Sequence, residues 1–305
     1  MSVPTATPSP QISGECTLET AAVDDFHTYQ STIRLASLDQ SLTDRLHIIL
    51  SMFEGRPYQF DPIGDGINDP FDQRPLVCTT SFDCMTLCST VVALLATDEY
   101  SSFLEALNQV RYANQTPGYF RRHHFIESQW NLHNRVLGYL SSQMPALSEH
   151  YPIFTTQQSI HYPNWIEHQK QYLYQRLGAD FNLTIDDLPV DLRSPTSVEV
   201  DYIRLDDLRK SLTDPSVQTL MHGCIMQLVC PNWMIENKIG TSIAVCHLGI
   251  TLLESDSIHF THAHIGDQVV TVRLIEYLDY ISAHMPHVAG ARFERLVNKH
   301  FVTPG

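Results

Sequence analysis

The segment SFDCMTLCSTVVALLA, residues 81–96, decides the fold, because it predicts a buried helix with a cysteine in its first turn. Its larger apolar side chains fall on one helical stripe, and Ser81 or Asp83 is available to cap the amino-terminal end. The stripe consists of Leu87, Val91, Leu94 and Leu95. At Cys84 the positive end of the helix dipole is expected to stabilise a thiolate and to lower the cysteine pKa from its usual ~8.5. The segment therefore predicts a reactive thiol, against the alternative of a small core residue, the role assigned to Cys88 one turn later.

The segments around this helix predict an α+β fold. Hydrophobic spacing and stop signals indicate helices at residues 24–35, 41–53, 100–111, 126–142, 165–177 and 275–285. Alternating patterns indicate strands at residues 198–204, 224–229, 242–253, 258–264 and 268–274. Residues 55–80 are rich in proline, glycine, aspartate and asparagine, which predicts a long ordered loop. The strands are expected to form an antiparallel meander, and the separation of most helices from the strands along the chain indicates the α+β class.

The chain is expected to form a single domain at residues 23–305, with a helical insertion at about residues 100–195. Residues 1–22 are expected to form a flexible tail, since their first half is rich in proline, serine and threonine. The tail has neither a basic n-region nor an apolar h-region, so no secretory signal is readable. The compartment stays open: periplasmic or exported if a signal was removed, and otherwise cytoplasmic or secreted without a signal.

The composition excludes some classes of partner. The chain has 305 residues, of which 43% are hydrophobic, enough for an ordinary globular core. Nineteen lysines and arginines against 34 acidic residues give a formal charge of -15, which disfavours binding to nucleic acid. No stretch approaches the ~18 apolar residues of a membrane-spanning helix. The seven cysteines are an odd number, so at least one is a free thiol or pairs outside the chain.

A histidine in a predicted strand supplies the base that a cysteine nucleophile needs. His247 interrupts the apolar strand at residues 242–253. Strict alternation gives one face of this strand to Ile243, Val245, His247 and Gly249. If the hairpin turn is centred near Glu254 and Ser255, His262 falls about opposite His247, with the Cβ atoms ~5 Å apart. His262 can then fix the tautomer of His247 that accepts the thiol proton.

Zinc is the alternative use of these histidines. His247, His259, His262 and His264 are close in sequence and can converge with Cys84 on a metal ion. Their spacing fits no tight zinc signature, and His259 points to the opposite strand face from His262. The catalytic interpretation is therefore preferred.

The order of the motifs resembles the NlpC-type branch of papain-like cysteine peptidases. The passages that carry the resemblance are GRPY at residues 55–58, FDCMTL at 82–87, CHLGI at 246–250 and HAH at 262–264. Within that branch the chain is most similar to the N-acetylmuramoyl-L-alanine amidase-like family. This narrower resemblance rests on FDQRPL at residues 71–76, RYAN at 111–114 and YFRRHHF at 119–125. The resemblance implies a papain-like core, in which a helix led by the nucleophile packs on an antiparallel sheet that bears the histidines.

The resemblance also implies a reaction. Cys84 would attack the amide between the lactyl group of N-acetylmuramic acid and L-alanine, with His247 as base and His262 as orienting third residue. The partners would be muropeptides, fragments of peptidoglycan, and no metal or organic cofactor would be required. One rival cuts within the stem peptide with the same triad. Another is a noncatalytic cell-wall or host-interaction protein of the same fold.

Three further residues receive roles from the resemblance. Tyr58 would donate to the oxyanion together with the backbone N–H of Cys84. Asp83 either caps the helix or contacts substrate. Arg121 holds either a substrate carboxylate or a structural acid.

Overall fold

The computed structural model describes residues 18–37, 39–177, 184, 186 and 188–299. The predicted tail lies outside the described residues as far as residue 17, and helix α1 (Leu18–Leu35) occupies the rest of it. Cys16 lies outside the described residues as well. In the described part of the chain, no helix combines the length and the apolar character needed to span a membrane.

The main helices lie where the patterns predict them, with several short helices added. After α1 they are α2 (Leu42–Phe53), α3 (Cys84–Leu95), α4 (Tyr100–Arg111), α5 (Asn131–Val136), α6 (Met144–Leu147), α7 (Tyr162–Leu177), α8 (Leu205–Ser211), α9 (Pro215–Met221), α10 (Glu236–Ile239) and α11 (Leu274–His284). A π-helical turn at Ile126–Trp130 runs directly into α5. The strands are β1 (Leu140–Ser142), β2 (Phe154–Ile160), β3 (Thr196–Arg204), β4 (Cys224–Val229), β5 (Val245–Glu254), β6 (Ser257–Ala263), β7 (Val269–Arg273) and β8 (Gly290–Leu296).

The strands of the described residues form one antiparallel sheet. Its order is β2-β3-β8-β4-β5-β6-β7, and β1 pairs with β8. The segment from β4 to β7 is the predicted meander, so the mixed class of helices and an antiparallel sheet is confirmed. The last strand, β8, returns to the centre of the sheet between β3 and β4. The division into a tail and one domain stays a prediction, and the predicted helical insertion contains β1 and β2 besides its helices.

Helices cover both faces of the sheet. On one face α3 packs with α2 and α4, and Leu87 shares a hydrophobic core with Leu248 and Ile250 of β5. On the other face lie α8, α9 and α11, where Leu278 shares a second core with Phe260 of β6. Because α3 also contacts β5 and β6, its first turn comes close to the two strands that carry the histidines.

The predicted helix at residues 126–142 is wrong at its carboxyl end. The helix α5 ends at Val136, and the chain enters β1 at Leu140. Between them Gly138 has a φ of 77°, in the left-handed region that ends helices and favours a residue without Cβ.

The sequence patterns also miss the strands β2 and β8. The strand β2 has the sequence FTTQQSI, lies at the edge of the sheet and exposes alternate residues, so it lacks an apolar stripe. The strand β8 has the sequence GARFERL, whose charged residues suggest a surface segment. In the structure Glu294 is fully buried, with ion pairs to Arg135 and Arg292. Buried ion pairs therefore replace the apolar pattern that predicts a central strand.

Candidate active site

The cysteine helix α3 begins at Cys84 because Asp83 caps it. The Thr86 N–H donates to Asp83 Oδ1 (2.7 Å), and the Asp83 N–H donates back to the Thr86 hydroxyl (2.9 Å), which forms a capping box. The other carboxylate oxygen of Asp83 accepts the N–H of Asp61 (2.9 Å). Both oxygens are thus engaged within the protein. Of the two roles predicted for Asp83, this geometry favours capping.

The Cys84 thiol lies against β5 and is partly exposed. The backbone N–H of Leu248, the residue after His247, is placed to stabilise the thiolate form of Cys84. Burial, followed by the negative charge of Asp83, raises the pKa of Cys84 to about 12. The expectation that this pKa is lowered is therefore wrong, because burial and the charge of Asp83 outweigh the backbone N–H groups that favour the thiolate. The resting thiol keeps its proton and needs a base.

Tyr58 is held beside the start of α3 by two backbone pairings. It forms a parallel bridge with Phe82, and its N–H donates to the carbonyl of Asp267 in the β6–β7 turn (2.8 Å). Burial, followed by the charges of Cys84 and Asp83, raises the pKa of its hydroxyl above the usual range. The Tyr58 hydroxyl therefore keeps its proton at neutral pH and can act as a hydrogen-bond donor.

The β5–β6 hairpin brings His247 and His262 together, although not in the predicted register. The turn lies at residues 255–256, one residue later than predicted. Moving the turn by one residue shifts the facing partner by two, so Gly249 faces His262 when the pairing is continued. A shift of two residues keeps both histidines on the same face. His247 Nε2 and His262 Nδ1 still meet, at 2.8 Å.

A β-bulge determines the face on which His247 lies. Val245 pairs with Val229 and His247 pairs with Leu228, so Cys246 is the extra residue. Val245 packs in the core around α3, whereas the His247 ring contacts an aromatic ring in the core around α11. The strict alternation that placed Val245 and His247 on one face is therefore wrong. Bulges re-aim side chains in this way, often next to active sites.

The two histidine rings are buried among aromatic side chains. His262 stacks on Phe260, with ring centroids 4.8 Å apart and an angle of 19°, and its ring lies 4.8 Å from that of Tyr277 on α11. Burial, followed by the nearby charge of His264, lowers the pKa of His247 to about 4. Burial and the neighbouring histidines lower the pKa of His262 to about 2. Both rings are therefore neutral at pH 7. The motifs alone do not single out Tyr277, which packs against this pair.

The free nitrogen of His247 is the strongest chemical feature of the site. Its Nε2 is engaged with His262, whereas its Nδ1 is buried and has no hydrogen-bond partner among the described residues. A buried nitrogen without a partner is costly unless another group uses it. If the His247 Nε2–H donates to His262, Nδ1 carries the lone pair that can accept a proton.

Glu127 fixes the start of β5, and sequence patterns do not distinguish it from a surface glutamate. It lies in the π-helical turn and is 6% exposed. Its Oε1 accepts hydrogen bonds from the N–H groups of Ala244 and Val245, both at 2.6 Å. The carboxylate therefore holds the segment that leads into the bulge and into His247.

Replacing Glu127 by alanine is expected to lower the free energy of unfolding by roughly 2–4 kcal/mol, because two backbone N–H groups lose their acceptor. The catalytic rate should fall as well, because β5 positions His247. Glu127→Gln keeps an acceptor and should retain most of both quantities, and Glu105→Ala on the exposed face of α4 serves as control. Denaturant unfolding and kcat/KM measure the effects. Wild-type stability in the Glu127→Ala variant would contradict the assigned role.

Arg122, rather than its neighbour Arg121, forms ion pairs with the acids of the long loop, two of which also bind Arg74. The ion-pair partners of Arg122 are Asp61, Asp65 and Asp72. Arg121 is exposed, and its Nη1 lies 3.5 Å from the carbonyl of Pro117. Among the described residues, Arg121 has no acidic partner within ion-pair distance. Of the two roles predicted for Arg121, the binding of a substrate carboxylate stays a prediction, and the structural role belongs to Arg122.

Buried neutral histidines predict a loss of stability in acid. Burial is the main cause that lowers the pKa of His123 to about 3 and of His124 to about 4, and His247 and His262 behave alike. In the unfolded chain each takes up a proton near the ordinary pKa of ~6.5. Since the unfolded state then binds more protons, the free energy of unfolding falls as the pH decreases from about 6.5 to about 4. The slope is at most ~1.4 kcal/mol per pH unit for each histidine.

Chemical denaturation at about pH 7, 5.5 and 4.5 measures this slope. His123→Phe removes one of the four groups and should flatten it, since Nε2 of His123 is buried without a hydrogen-bond partner among the described residues. Stability that is constant or that rises between pH 7 and pH 5 would be incompatible with neutral buried histidines.

Comparison with known proteins matches the part of the chain that contains these motifs to a protein family. The family model described as N-acetylmuramoyl-L-alanine amidase-like matches residues 49–285. Protein LPG0564 of Legionella pneumophila has a similar structure, with 23% identity, a TM-score of 0.78 and coverage of 94% of this chain and 99% of that chain. No curated protein sequence matches.

Two structures from Bacteroides share the fold at lower similarity. One is named as an N-acetylmuramoyl-L-alanine amidase from Bacteroides uniformis, with 21% identity, a TM-score of 0.56 and coverage of 81% of this chain and 95% of that chain. The other is described as a putative xylanase from Bacteroides fragilis, with 20% identity, a TM-score of 0.55 and coverage of 81% and 99%. The family match includes the cysteine helix and the histidine hairpin. The chain therefore belongs to the N-acetylmuramoyl-L-alanine amidase-like family.

Proposed function

We propose that the protein is a cysteine-dependent hydrolase that cleaves the amide between N-acetylmuramic acid and L-alanine in peptidoglycan fragments. The observation that carries the proposal is the free Nδ1 of His247, a residue that directly precedes the Leu248 N–H placed to stabilise the Cys84 thiolate. Family membership and the name of the Bacteroides uniformis structure support the choice of bond. The proposal includes a papain-like core, because α3 starts at the cysteine and packs on the strands that bear the histidines.

In the first step the Cys84 thiol transfers its proton to Nδ1 of His247 as its sulfur attacks the lactyl carbonyl carbon. Resting thiol and resting imidazole are both neutral, as the pKa of about 12 for Cys84 and the pKa of about 4 for His247 require. The imidazolium then protonates the nitrogen of L-alanine, the carbon–nitrogen bond breaks, and the stem peptide leaves. The muramoyl group stays on Cys84 as a thioester.

In the second step water attacks the thioester carbon. His247 accepts a proton from the water and returns it to the sulfur when the thiol leaves. The net reaction consumes one water molecule and yields a muramic acid carboxylate and a free amine. His262 holds the His247 ring through Nε2 in both steps, so its role is to position the base.

The negative oxygen of the tetrahedral intermediate needs donors that are already in place. The backbone N–H of Cys84 lies in the first turn of α3, where N–H groups have no partner within the helix. The Tyr58 hydroxyl is the second proposed donor, since its raised pKa keeps its proton in place. Asp83 holds the start of α3 through the cap, and its other carboxylate oxygen holds the N–H of Asp61 in the loop after Tyr58. The exposed Arg121 is proposed to bind a carboxylate of the stem peptide.

Mass spectrometry of defined muropeptides incubated with the protein tests the proposed bond. We expect a free stem peptide that begins at L-alanine and a sugar with a free lactyl carboxylate. Cleavage between residues of the stem would favour the endopeptidase alternative. No cleavage of any muropeptide by folded protein would favour the noncatalytic binding protein. Substrates with and without an anhydro end, tested in parallel, report the sugar preference.

A further inference from the structure

A cluster of metal-ligating side chains lies at the β-bulge that directly precedes His247. Its members are Cys230, Cys246 and His287, and one ligand atom from each lies within 4.8 Å of the other two. They come from three separate places: the residue after β4, the bulge of β5, and the loop between α11 and β8. The cluster shares no residue with the proposed triad of Cys84, His247 and His262.

The local backbone explains why these side chains converge. The N–H of Cys230 donates to the carbonyl of Ala244 (2.7 Å), which continues the β4–β5 pairing beyond the bulge. Cys246 is the extra residue of that bulge, and it packs in the core around α11. The chain then turns, with the N–H of Trp233 bonded to the carbonyl of Cys230 (3.2 Å). The Trp233 ring stacks on the His287 ring, with centroids 6.0 Å apart and an angle of 18°.

We propose that Cys230, Cys246 and His287 bind one soft divalent cation, with Zn²⁺ as the natural candidate. Two thiolates and one imidazole are ligands that zinc prefers, with Zn–S and Zn–N bonds of about 2.3 and 2.1 Å. A tetrahedral ion with such bonds holds its sulfur atoms about 3.8 Å apart, so a small closure of the cluster suffices. Each thiol gives up its proton to the solvent when the metal binds. Because His287 is exposed, the fourth position faces solvent and takes water.

The position of the cluster gives the metal a structural consequence. Cys246 directly precedes His247, so an ion there ties the bulge to the end of β4 and to the α11–β8 loop. An ion that binds the folded state and not the unfolded state raises the unfolding temperature. Zinc at this place therefore stabilises the strand that carries the proposed base without contacting substrate. This inference stands independently of the proposed hydrolysis, because neither the ligands nor the test involves turnover.

Titration of the full chain with Co²⁺, under a phosphine reductant, tests the site. Cobalt bound by thiolates produces a charge-transfer absorption that bound water or carboxylates do not. We expect one equivalent of Co²⁺ to bind with this absorption, Zn²⁺ to displace it, and Zn²⁺ to raise the unfolding temperature. His287→Ala removes a direct ligand and should weaken binding by more than the about tenfold to hundredfold that the loss of an outer-shell partner costs. Cys230→Ser leaves one thiolate, at Cys246, and should weaken binding and lower the charge-transfer absorption.

Matched variants separate this site from other thiols and histidines. Cys78→Ser and His284→Ala change residues outside the cluster and should bind as the wild type does. Cys230 is fully buried, so its variant is checked for folding, whereas His287 is exposed and its variant decides the matter alone if the former unfolds. Binding that survives His287→Ala unchanged but is lost in Cys84→Ala would overturn the proposal. No cobalt binding by the reduced folded protein, with a Cys230–Cys246 disulfide formed in air instead, would also overturn it.

Discussion

Replacing Cys84 by alanine is expected to lower kcat/KM for muropeptide cleavage by at least ~10³-fold, because no other group can form the thioester. The fold should persist. Alanine is a good helix former, and the cap of α3 comes from Asp83 and Thr86 rather than from the cysteine. Turnover of defined muropeptides, together with the unfolding temperature, measures both effects.

Cys88→Ala is the matched control for this substitution. Cys88 is fully buried on the same helix, one turn after Cys84. Its truncation should cost about 1 kcal/mol of stability and leave kcat/KM within about threefold of the wild type. Loss of turnover in both variants, or in neither, would contradict the assignment of Cys84 as the nucleophile.

Replacing His247 by alanine is expected to have an effect of similar size, a loss of ~10³-fold or more in kcat/KM. The thiol with a pKa of about 12 then loses its proposed base. His262→Ala should cost less, about 10- to 100-fold, because His262 positions the base and does not touch the substrate. His262→Asn keeps a polar partner for Nε2 of His247 and should recover part of that loss.

The control for the histidine variants is His259. It lies on the same strand as His262, and its Nδ1 is 3.5 Å from the carboxylate of Glu254. His259→Ala should leave kcat/KM unchanged. Equal losses in the His247, His262 and His259 variants would point to a general effect on the hairpin. The pH profile adds a readout, since kcat/KM should fall in acid near the pKa of about 4 of His247.

The parts of the fold that were predictable have strong local patterns. The helix α3 shows an apolar stripe and a capping aspartate, and the meander from β4 to β7 consists of β-rich segments separated by turns. The strand β8 was not predictable from such patterns. Its central place depends on the buried Glu294, whose ion pair with Arg135 connects segments far apart in the sequence. Arg292, two residues earlier on the same strand, is the second partner of Glu294.

The candidate site was predictable in its residues and not in its details. The pairing of His247 with His262 tolerates the error in the turn, because a shift by two residues preserves the face. The bulge at Cys246 inserts one residue and breaks the alternation of side chains between the two faces of β5. No turn residue or glycine in the sequence indicates this bulge. Glu127 acts on β5 across 117 residues of sequence. Its role therefore depends on tertiary packing that a local pattern does not contain.

The thiol pKa also depends on tertiary packing. The position of Cys84 in the first turn of α3 is local information, and it is the basis for expecting a lowered pKa. Burial against β5 and the carboxylate of Asp83 act in the opposite direction and are larger. The protein therefore relies on His247 to remove the proton, rather than on a preformed thiolate.

The thioester on Cys84 is the central claim, and trapping it is the most direct test. Protein turning over a defined muropeptide is acid-quenched and mapped by mass spectrometry, and a parallel reaction contains hydroxylamine to capture the acyl group. We predict a muramoyl group on the Cys84 peptide and a muramoyl hydroxamate among the products. A peptidyl adduct would contradict the proposed bond. Undiminished turnover with neither an adduct nor a hydroxamate would contradict the cysteine mechanism.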